Sequence, residues 1–407
     1  MTKRRLKVLP GDENGAVNGA DPQVLCADHI VDVDLKSIVL VMNDKKYECE
    51  LCGKADAVEV APLSELFEAI LQTLNFIYGT SDDELLRENE GGNYHGPDMT
   101  AADVVRVLCG QVFSDDVSAL CLDIVANAIE NATNGKLFTN LPALLDTADL
   151  VWKRDKLTEL VKEESRFVIV QQLQASIGPV SRTPSPPVLL GRLLGELVSF
   201  GEHHLNLVKQ LPEGTEVYRG RLVNRRDEID PPTIEKLGPP LGRHAAANRM
   251  SPAGISMFYA AEDVQTAIAE IASHDIKPMA MMGTFQLKKV LWVLDLTQGV
   301  SPFRARSYED ILKIYFLQHF EEALAAPTIP DSASHDQIDY APTQIVTEYI
   351  RWASETPVDG IAFRSSQTSC KNYVFFAGPE KTKEDFDLTE VALYDVYRSA
   401  EGRKREA

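Results

Sequence analysis

At 407 residues, with 41 Lys and Arg against 61 Asp and Glu, the chain carries a formal charge of −20 and a pI near 4.9. That balance argues against non-specific nucleic-acid binding, which needs a basic face to neutralise phosphates. The basic clusters present (Lys3-Arg4-Arg5-Leu6-Lys7, Asn224-Arg225-Arg226, Arg403-Lys404-Arg405) are short. No run approaches the roughly 18 apolar residues of a membrane helix, no apolar segment follows the basic N-terminus as in a signal peptide, and six cysteines in so long a chain do not make a disulfide scaffold.

The expectation is a multidomain cytoplasmic protein without membrane contact. Residues 1–22 are charged, then rich in Gly, Asn and Asp, and read as a disordered tail. Within residues 23–60, Cys26-x-x-His29 and Cys49-x-x-Cys52 offer four ligands in two knuckles, with residues 30–48 between them. A closed N/S set of this kind suits a structural Zn2+ of the zinc-ribbon type. The competing reading is a set of unrelated polar and buried residues; no thioredoxin-like βαβ pattern favours a redox motif.

Residues 61–175 read as all-α. Leu63, Leu66, Phe67, Ile70, Leu71, Leu74 and Ile77 follow the spacing of one buried helix face, with Ser64-Glu65 as its cap and first-turn charge. Helical runs recur near 100–110, 116–131, 141–150 and 152–174. Residues 176–187 are a Pro-rich linker, and an amphipathic connecting helix follows over 188–209, with His203-His204 on its solvated face. From 210 to 390 short strands (216–223, 255–259, 283–287, 290–296, 360–364, 372–377) alternate with helices near 261–273, 307–325 and 343–354, which predicts a mixed-sheet α+β domain. Residues 391–407 read as a C-terminal tail.

Three pieces of that domain carry chemistry. Tyr218-Arg219-Gly220-Arg221 sits in a strand; alone, Arg219 reads as a surface arginine, but Gly220 marks the close approach of a ligand or another backbone. Arg249 lies in a loop shaped by Pro252 and Gly254, where a solvated arginine and a binding residue are both natural. Tyr259, at the end of the next strand, is placed to stack on a ring or to fill the core. Glu270 falls beside Ala267 at the border of the apolar stripe of its helix, where partial desolvation strengthens its field. Ser365 and Ser366 follow the strand 360–364 and read as turn-capping hydroxyls or as groups aimed into a cleft, with Asn372 as a companion. Two guanidinium groups and one carboxylate suit a pyrophosphate-bearing substrate with a reacting sugar.

This order of residues resembles the RES domain, named for its arginine, glutamate and serine. The family pattern Gly-Gly-Arg-aromatic-Asn-Pro-x-Gly is met here by Ala247-Asn248-Arg249-Met250-Ser251-Pro252-Ala253-Gly254, in which the arginine, the proline and the last glycine match. The resemblance spans residues 210–380. It implies a fold related to ADP-ribosyltransferases, NAD+ as substrate, and the toxin of a toxin–antitoxin pair, whose antitoxin is often a helix-turn-helix protein. By that resemblance Arg219 and Arg249, with Tyr218, Tyr259 and Ser366, hold NAD+. Glu270, Arg249 and Ser365 act where the nicotinamide–ribose bond breaks, Ser365 by supporting substrate placement. The acceptor is water or phosphate, as in an NAD+ glycohydrolase or phosphorylase; a protein ADP-ribosyltransferase on the same site and a catalytically silent interaction protein stay open. Tyr340-Ala341-Pro342-Thr343-Gln344 also resembles a segment of longer RES proteins, with Thr343 placed as an N-cap. The cysteine unit followed by helices and Ser165-Arg166-Phe167 resembles the HEPN-like domain that accompanies some RES domains. No histidine follows Arg166 at nuclease spacing, so a regulatory or docking role is expected.

Overall fold

Two units organise the chain in the computed structural model, Met1–Trp152 with Val300–Tyr315 and Lys153–Gly299 with Phe316–Ala407. The structure describes residues 24–42, 48–49, 51–54, 57–80, 98–140, 199–273, 276–297, 299–325, 340–353, 357–368 and 370–396. The expected N-terminal tail, the helices over 141–150 and 152–174, the Pro-rich linker and Arg166 lie outside the described residues.

The first unit contains β1 (Val24–Cys26), α1 (Val33–Val39), β2 (Val41–Met42), β3 (Glu59–Pro62), α2 (Leu63–Ile77), β4 (Tyr78–Thr80), α3 (Ala101–Cys109), α4 (Ser118–Ala132) and β5 (Phe138–Asn140). Helix α2 buries Leu63, Leu66, Ile70, Leu71, Leu74 and Ile77, the face its spacing predicts. Its N-cap is Pro62, so Ser64 falls inside the first turn and caps nothing, while Glu65 complements the helix dipole. Helix α3 starts on a reciprocal capping box between Thr100 and Asp103. The all-α expectation for residues 61–175 is corrected by the antiparallel pair β4-β5, whereas the small antiparallel sheet ordered β1-β3-β2 lies almost wholly within the expected cysteine unit of residues 23–60. Strands of two to four residues are too short for a period-2 signal to stand out. Residues 300–315 belong to this unit, where Arg304 Nε lies 3.5 Å from Asp34 Oδ1.

The second unit opens with a π-helical turn, Phe200–His204, in which His204 stacks on Phe200 with centroids 4.9 Å apart while His203 stays exposed. The connecting helix does not reach Lys209, because β6 (Val208–Leu211) pairs antiparallel with a later strand. There follow β7 (Glu216–Val223), α5 (Ile234–Leu237), β8 (Phe258–Ala261), α6 (Val264–Ala272), β9 (Met279–Leu287), β10 (Leu291–Asp295), the part from Phe316 onward of α7 (Tyr308–Ala325), α8 (Ala341–Ala353), β11 (Gly360–Arg364), β12 (Lys371–Phe375), α9 (Pro379–Asp385) and β13 (Phe386–Asp395). The expected C-terminal tail is in its first part a strand: β13 pairs with β9 as far as Asp395↔Met279. The strand expected over 255–259 begins later, since residues 252–255 form a turn closed by Ile255 N–H to Pro252 O. Helix α6 starts at Val264 because the Asp263 side chain accepts from Thr266 N–H and caps it.

The eight strands form one mixed sheet, β13-β9-β7-β8-β12-β11-β10-β6, in which β10 and β11 are the parallel pair. The sheet is nearly divided at its middle. β7 pairs with β9 from Glu216 to Val223, and β8 pairs with β12 along its length, but β7 and β8 meet only at Tyr218↔Ala261. Alternation along β7 sends Val217 and Val223 to one core, with Leu237, Phe258, Phe285, Phe375 and Phe386. Tyr218 and Leu222 go to the opposite face, where α6 packs through Val264, Ala267, Ile268 and Ile271. Phe258 centres the first core, its ring centroid 4.9 Å from those of Phe285 and Phe386 and 6.0 Å from that of Phe375. Its truncation should be costly. Phe258→Ala is expected to destabilise the second unit by about 3–5 kcal/mol, read as a lowered midpoint of its transition in urea; a shift under about 1 kcal/mol would contradict the central role given to this ring.

Candidate functional site

The divided sheet leaves an opening beside β7, and arginines fill it. Arg219 Nε donates to Leu237 O at 3.2 Å and its NH1 donates to Tyr259 O at 2.7 Å, so the guanidinium bridges β7 and β8 where their pairing has stopped. It also lies over the Phe258 ring, 5.8 Å from the centroid. Burial lowers the Arg219 pKa to about 10, with the nearby charge of Arg221 adding to the effect, so it is still protonated at neutral pH. Arg221, two residues on, donates from NH2 to Gly238 O at 3.2 Å. Gly220 between them answers to the neighbouring strand: a Cβ there would lie 2.6 Å from Met281 O. Tyr218 lines the same opening and donates its hydroxyl to Glu216 Oε2 at 3.1 Å.

Arg249 rides on the loop between α5 and β8, and helix α8 holds that loop by its backbone. Gln344 Nε2 donates to Asn248 O at 2.7 Å and to Ser251 O at 3.3 Å, and Thr343 Oγ1 donates to Arg249 O at 2.5 Å and Tyr340 O at 2.9 Å. Thr343 therefore does not cap α8, which begins at Ala341; its hydroxyl pins the arginine loop instead. The Arg249 side chain donates from NH1 to Leu324 O at 2.8 Å and faces the Tyr340 ring at 6.0 Å. Tyr259, the second residue of β8, places its hydroxyl 3.0 Å from Ser251 Oγ, and burial pushes its pKa up to about 12.

Glu270 approaches from α6, half-buried beside the buried Ala267, as the border of its apolar stripe predicts. Its Oε1 accepts from Ser365 Oγ at 2.5 Å and from Asn372 Nδ2 at 2.7 Å. The serine is itself fixed, accepting from Gln367 N–H at 3.1 Å and Thr368 N–H at 3.2 Å. Thr266 of α6 and Thr368 meet at 3.0 Å, tying the helix to the same turn. Asn372 counts for more than its sequence context suggests, being 7% exposed and bonded to the carboxylate. Ser366 lines the cleft and accepts from Gln367 Nε2 at 3.0 Å, whereas Ser365 meets Glu270.

Arg219, Arg221, Arg249, Tyr259, Glu270 and Asn372 all border one cavity of about 570 Å³. Glu270 is the acidic residue among its described lining, and none of the three arginines has a carboxylate within ion-pair distance among the described residues. Uncompensated guanidinium groups around a single fixed carboxylate suit an anionic ligand in which positive charge develops during reaction.

In the first unit the four residues with metal-ligand spacing come together. One ligand atom from each of Cys26, His29, Cys49 and Cys52 lies within 4.8 Å of the others, with Cys26 Sγ and Cys52 Sγ 3.7 Å apart. Gly53, at φ 70°, returns its N–H to Cys49 O at 2.8 Å and shapes the second knuckle. Lys54 Nζ, 2.7 Å from Asp28 Oδ2, links the two knuckles. His29 is 4% exposed, and its Nε2 is buried without a hydrogen-bond partner among the described residues. A buried imidazole nitrogen amid three sulfurs fits a tetrahedral metal site.

The Gln344 contacts predict a measurable effect on the arginine loop. Gln344→Leu is expected to speed tryptic cleavage after Arg249 by roughly 5- to 10-fold, the equivalent of about one hydrogen bond. An unchanged cleavage rate would show that α8 does not hold the loop.

Residues 225–390 match the RES domain, and residues 42–175 match HEPN/RES N-terminal domain 1. None of the curated proteins or solved structures matches the chain. Tyr218 and Arg219 precede the first matched span and enter the cleft by β7. With Arg249, Glu270, Ser365 and Asn372 inside that span, the chain is a RES domain protein with a HEPN/RES-type N-terminal domain.

Proposed function

We propose that the cleft of the second unit binds NAD+ and breaks its nicotinamide–ribose bond. The observation that carries this reading is Glu270, held through one oxygen by Ser365 and Asn372 in a cleft whose three arginines have no carboxylate partner among the described residues. At the level of the family, the RES domain points to a toxin-like, NAD-related function. The finer chemistry follows from the side chains.

Arg249 and Arg219 grip the pyrophosphate through donors not spent on main-chain carbonyls, using the planar fork that lysine lacks. Tyr218, Tyr259 and Ser366 border the same space and position the nucleoside rings and sugar. As the glycosidic bond lengthens, its electron pair leaves with nicotinamide and positive charge grows on the ribose. The fixed Glu270 carboxylate stabilises that charge without having to reorient. Ser365 is a positioning residue: its hydroxyl donates to Glu270 and accepts two backbone N–H groups, which leaves it poorly placed to act as nucleophile. Water or phosphate then attacks from the open side and yields ADP-ribose or its 1″-phosphate. A helix-turn-helix antitoxin is the partner this activity calls for.

In the first unit, Cys26, His29, Cys49 and Cys52 would hold Zn2+ in a closed, structural shell. Bound there, the metal would supply folding energy by joining the two knuckles.

Purified full-length protein incubated with NAD+ is expected to release nicotinamide, and Glu270→Gln to lower that rate at least about 100-fold with an unchanged far-UV spectrum, as loss of a charge-stabilising group in the transition state does. Folded protein that releases none, with phosphate or without, would sink the reading. For the metal, elemental analysis should find one zinc per chain, and Cys52→Ser combined with His29→Ala should remove it and lower the first melting transition. Zinc-free protein with an unaltered melting curve would exclude a structural metal.

A further inference from the structure

The turn that carries Ser365 meets helix α6 at a second place, where counting hydrogens fixes the direction of each bond. Thr266 is 1% exposed, and its Oγ1 donates to the Asp263 carboxylate at 2.6 Å. That hydroxyl has one hydrogen to give, so in its 3.0 Å contact with Thr368 Oγ1 it accepts and Thr368 donates. Thr368 Oγ1 accepts in turn from Cys370 N–H at 3.2 Å. One directed chain therefore runs from the backbone of the turn through two hydroxyls to Asp263.

The chain that holds Glu270 runs beside it in the same sense. Gln367 and Thr368 N–H donate to Ser365 Oγ, whose own hydrogen goes to Glu270 Oε1. Thr368 belongs to both chains, giving its N–H to one and its hydroxyl to the other. Both chains end on carboxylates of one helix, Asp263 as the N-cap of α6 and Glu270 seven positions on. Seven residues are close to two turns, so the two carboxylates share a face of the helix, about 10 Å apart along its axis. Two grips on one face fix the rotation of the turn as well as its distance, and the rotation is what the Ser365 contact alone leaves free.

We propose that Thr266 and Thr368 are positioning residues for the chemistry at Glu270, holding the turn so that Ser365 meets the carboxylate in the orientation the reaction uses. The proposal rests on the NAD+ reading and adds to it two residues that act only through others, since neither threonine is among the described lining of the cleft.

Steady-state nicotinamide release from NAD+ by full-length wild type, Thr266→Val, Thr266→Ser, Ser365→Ala and the Thr266→Val/Ser365→Ala double variant tests it, together with amide exchange at Gln367 and Thr368. Thr266→Val keeps the branched shape and the backbone bond to Asp263 Oδ1 at 2.8 Å but loses the hydroxyl. It should lower kcat about 10-fold, the weight of roughly one hydrogen bond, with KM within about twofold of wild type. The two amides should exchange faster, and Thr266→Ser should recover most of both effects. The double variant should be no slower than Ser365→Ala alone, because the threonine acts through that serine. If Thr266→Val does not fold, Thr368→Val makes the same test from the turn. Three results overturn the assignment and leave the NAD+ reading intact: an unchanged kcat in folded Thr266→Val, a valine effect undiminished without the Ser365 hydroxyl, or a loss confined to KM. Wild type that releases no nicotinamide overturns the NAD+ reading and the role in it. Amide exchange then still decides the clamp, which falls if valine leaves Gln367 and Thr368 exchanging at the wild-type rate.

Discussion

Beyond Tyr218, strand β7 keeps its partner β9 on one side and loses β8 on the other, and the guanidinium of Arg219 spans the gap to the carbonyl of Tyr259. A sheet interior with unpaired backbone groups is unstable unless something satisfies them. Here an arginine supplies the donors, to Tyr259 on β8 and to Leu237 on α5, while its face covers Phe258. The opening this creates is the cleft. Its wall is positive because the group that closes the hydrogen-bond account is a cation, so the feature that keeps the divided sheet intact also prepares it for an anion.

The opposite wall is assembled from distant parts of the chain. Glu270 comes from α6, Ser365 from the end of β11 and Asn372 from β12, and the three meet at one carboxylate oxygen. Pairing of Phe363 with Asn372 and of Asn372 with Ala261 places those elements side by side, and the Thr266–Thr368 contact fixes the helix against the turn. Two donors on one oxygen hold the carboxylate in a fixed orientation. On the arginine side, Gln344 and Thr343 act through main-chain carbonyls and set the loop rather than the guanidinium. The loop backbone of the cleft is thus tied by hydrogen bonds, while its arginines have no carboxylate partner among the described residues.

That contrast is sharper given the composition. In a chain of net charge −20, three arginines in one cavity without a carboxylate partner among the described residues are not what chance pairing would leave. Acidic groups elsewhere in the same unit are spent on lysines and caps: Asp295 on Lys371, Asp385 on Lys289, Asp263 on Thr266. The local field of the cleft therefore opposes the field of the molecule, and in a low-dielectric recess the local term prevails at contact distance. The cysteine and histidine cluster of the first unit is a separate matter of local folding, in which two short knuckles converge.

The sequence by itself determined the parts whose signals are local. The strand over 216–223, the strand over 360–364 and the buried stripe of α2 lie where alternation and helical spacing put them, and the border position of Glu270 beside Ala267 could be read from the helix alone. The convergence of Cys26, His29, Cys49 and Cys52 could be read from their spacing, since the two members of each knuckle are neighbours in the chain. Signals failed where strands were too short to show a period, as in β1 to β5, and where a cap moved a boundary, as Asp263 did for α6. Only the tertiary structure decided the rest. Asn372 and Ser365 became partners of Glu270 across about a hundred residues of chain, Thr343 turned from an expected cap into a clamp on Arg249, and Gly220 proved to accommodate Met281 and Met282. Hydrogen bonds between residues so far apart leave no periodicity in the sequence, because their geometry is set by strand register and by the place where the sheet divides.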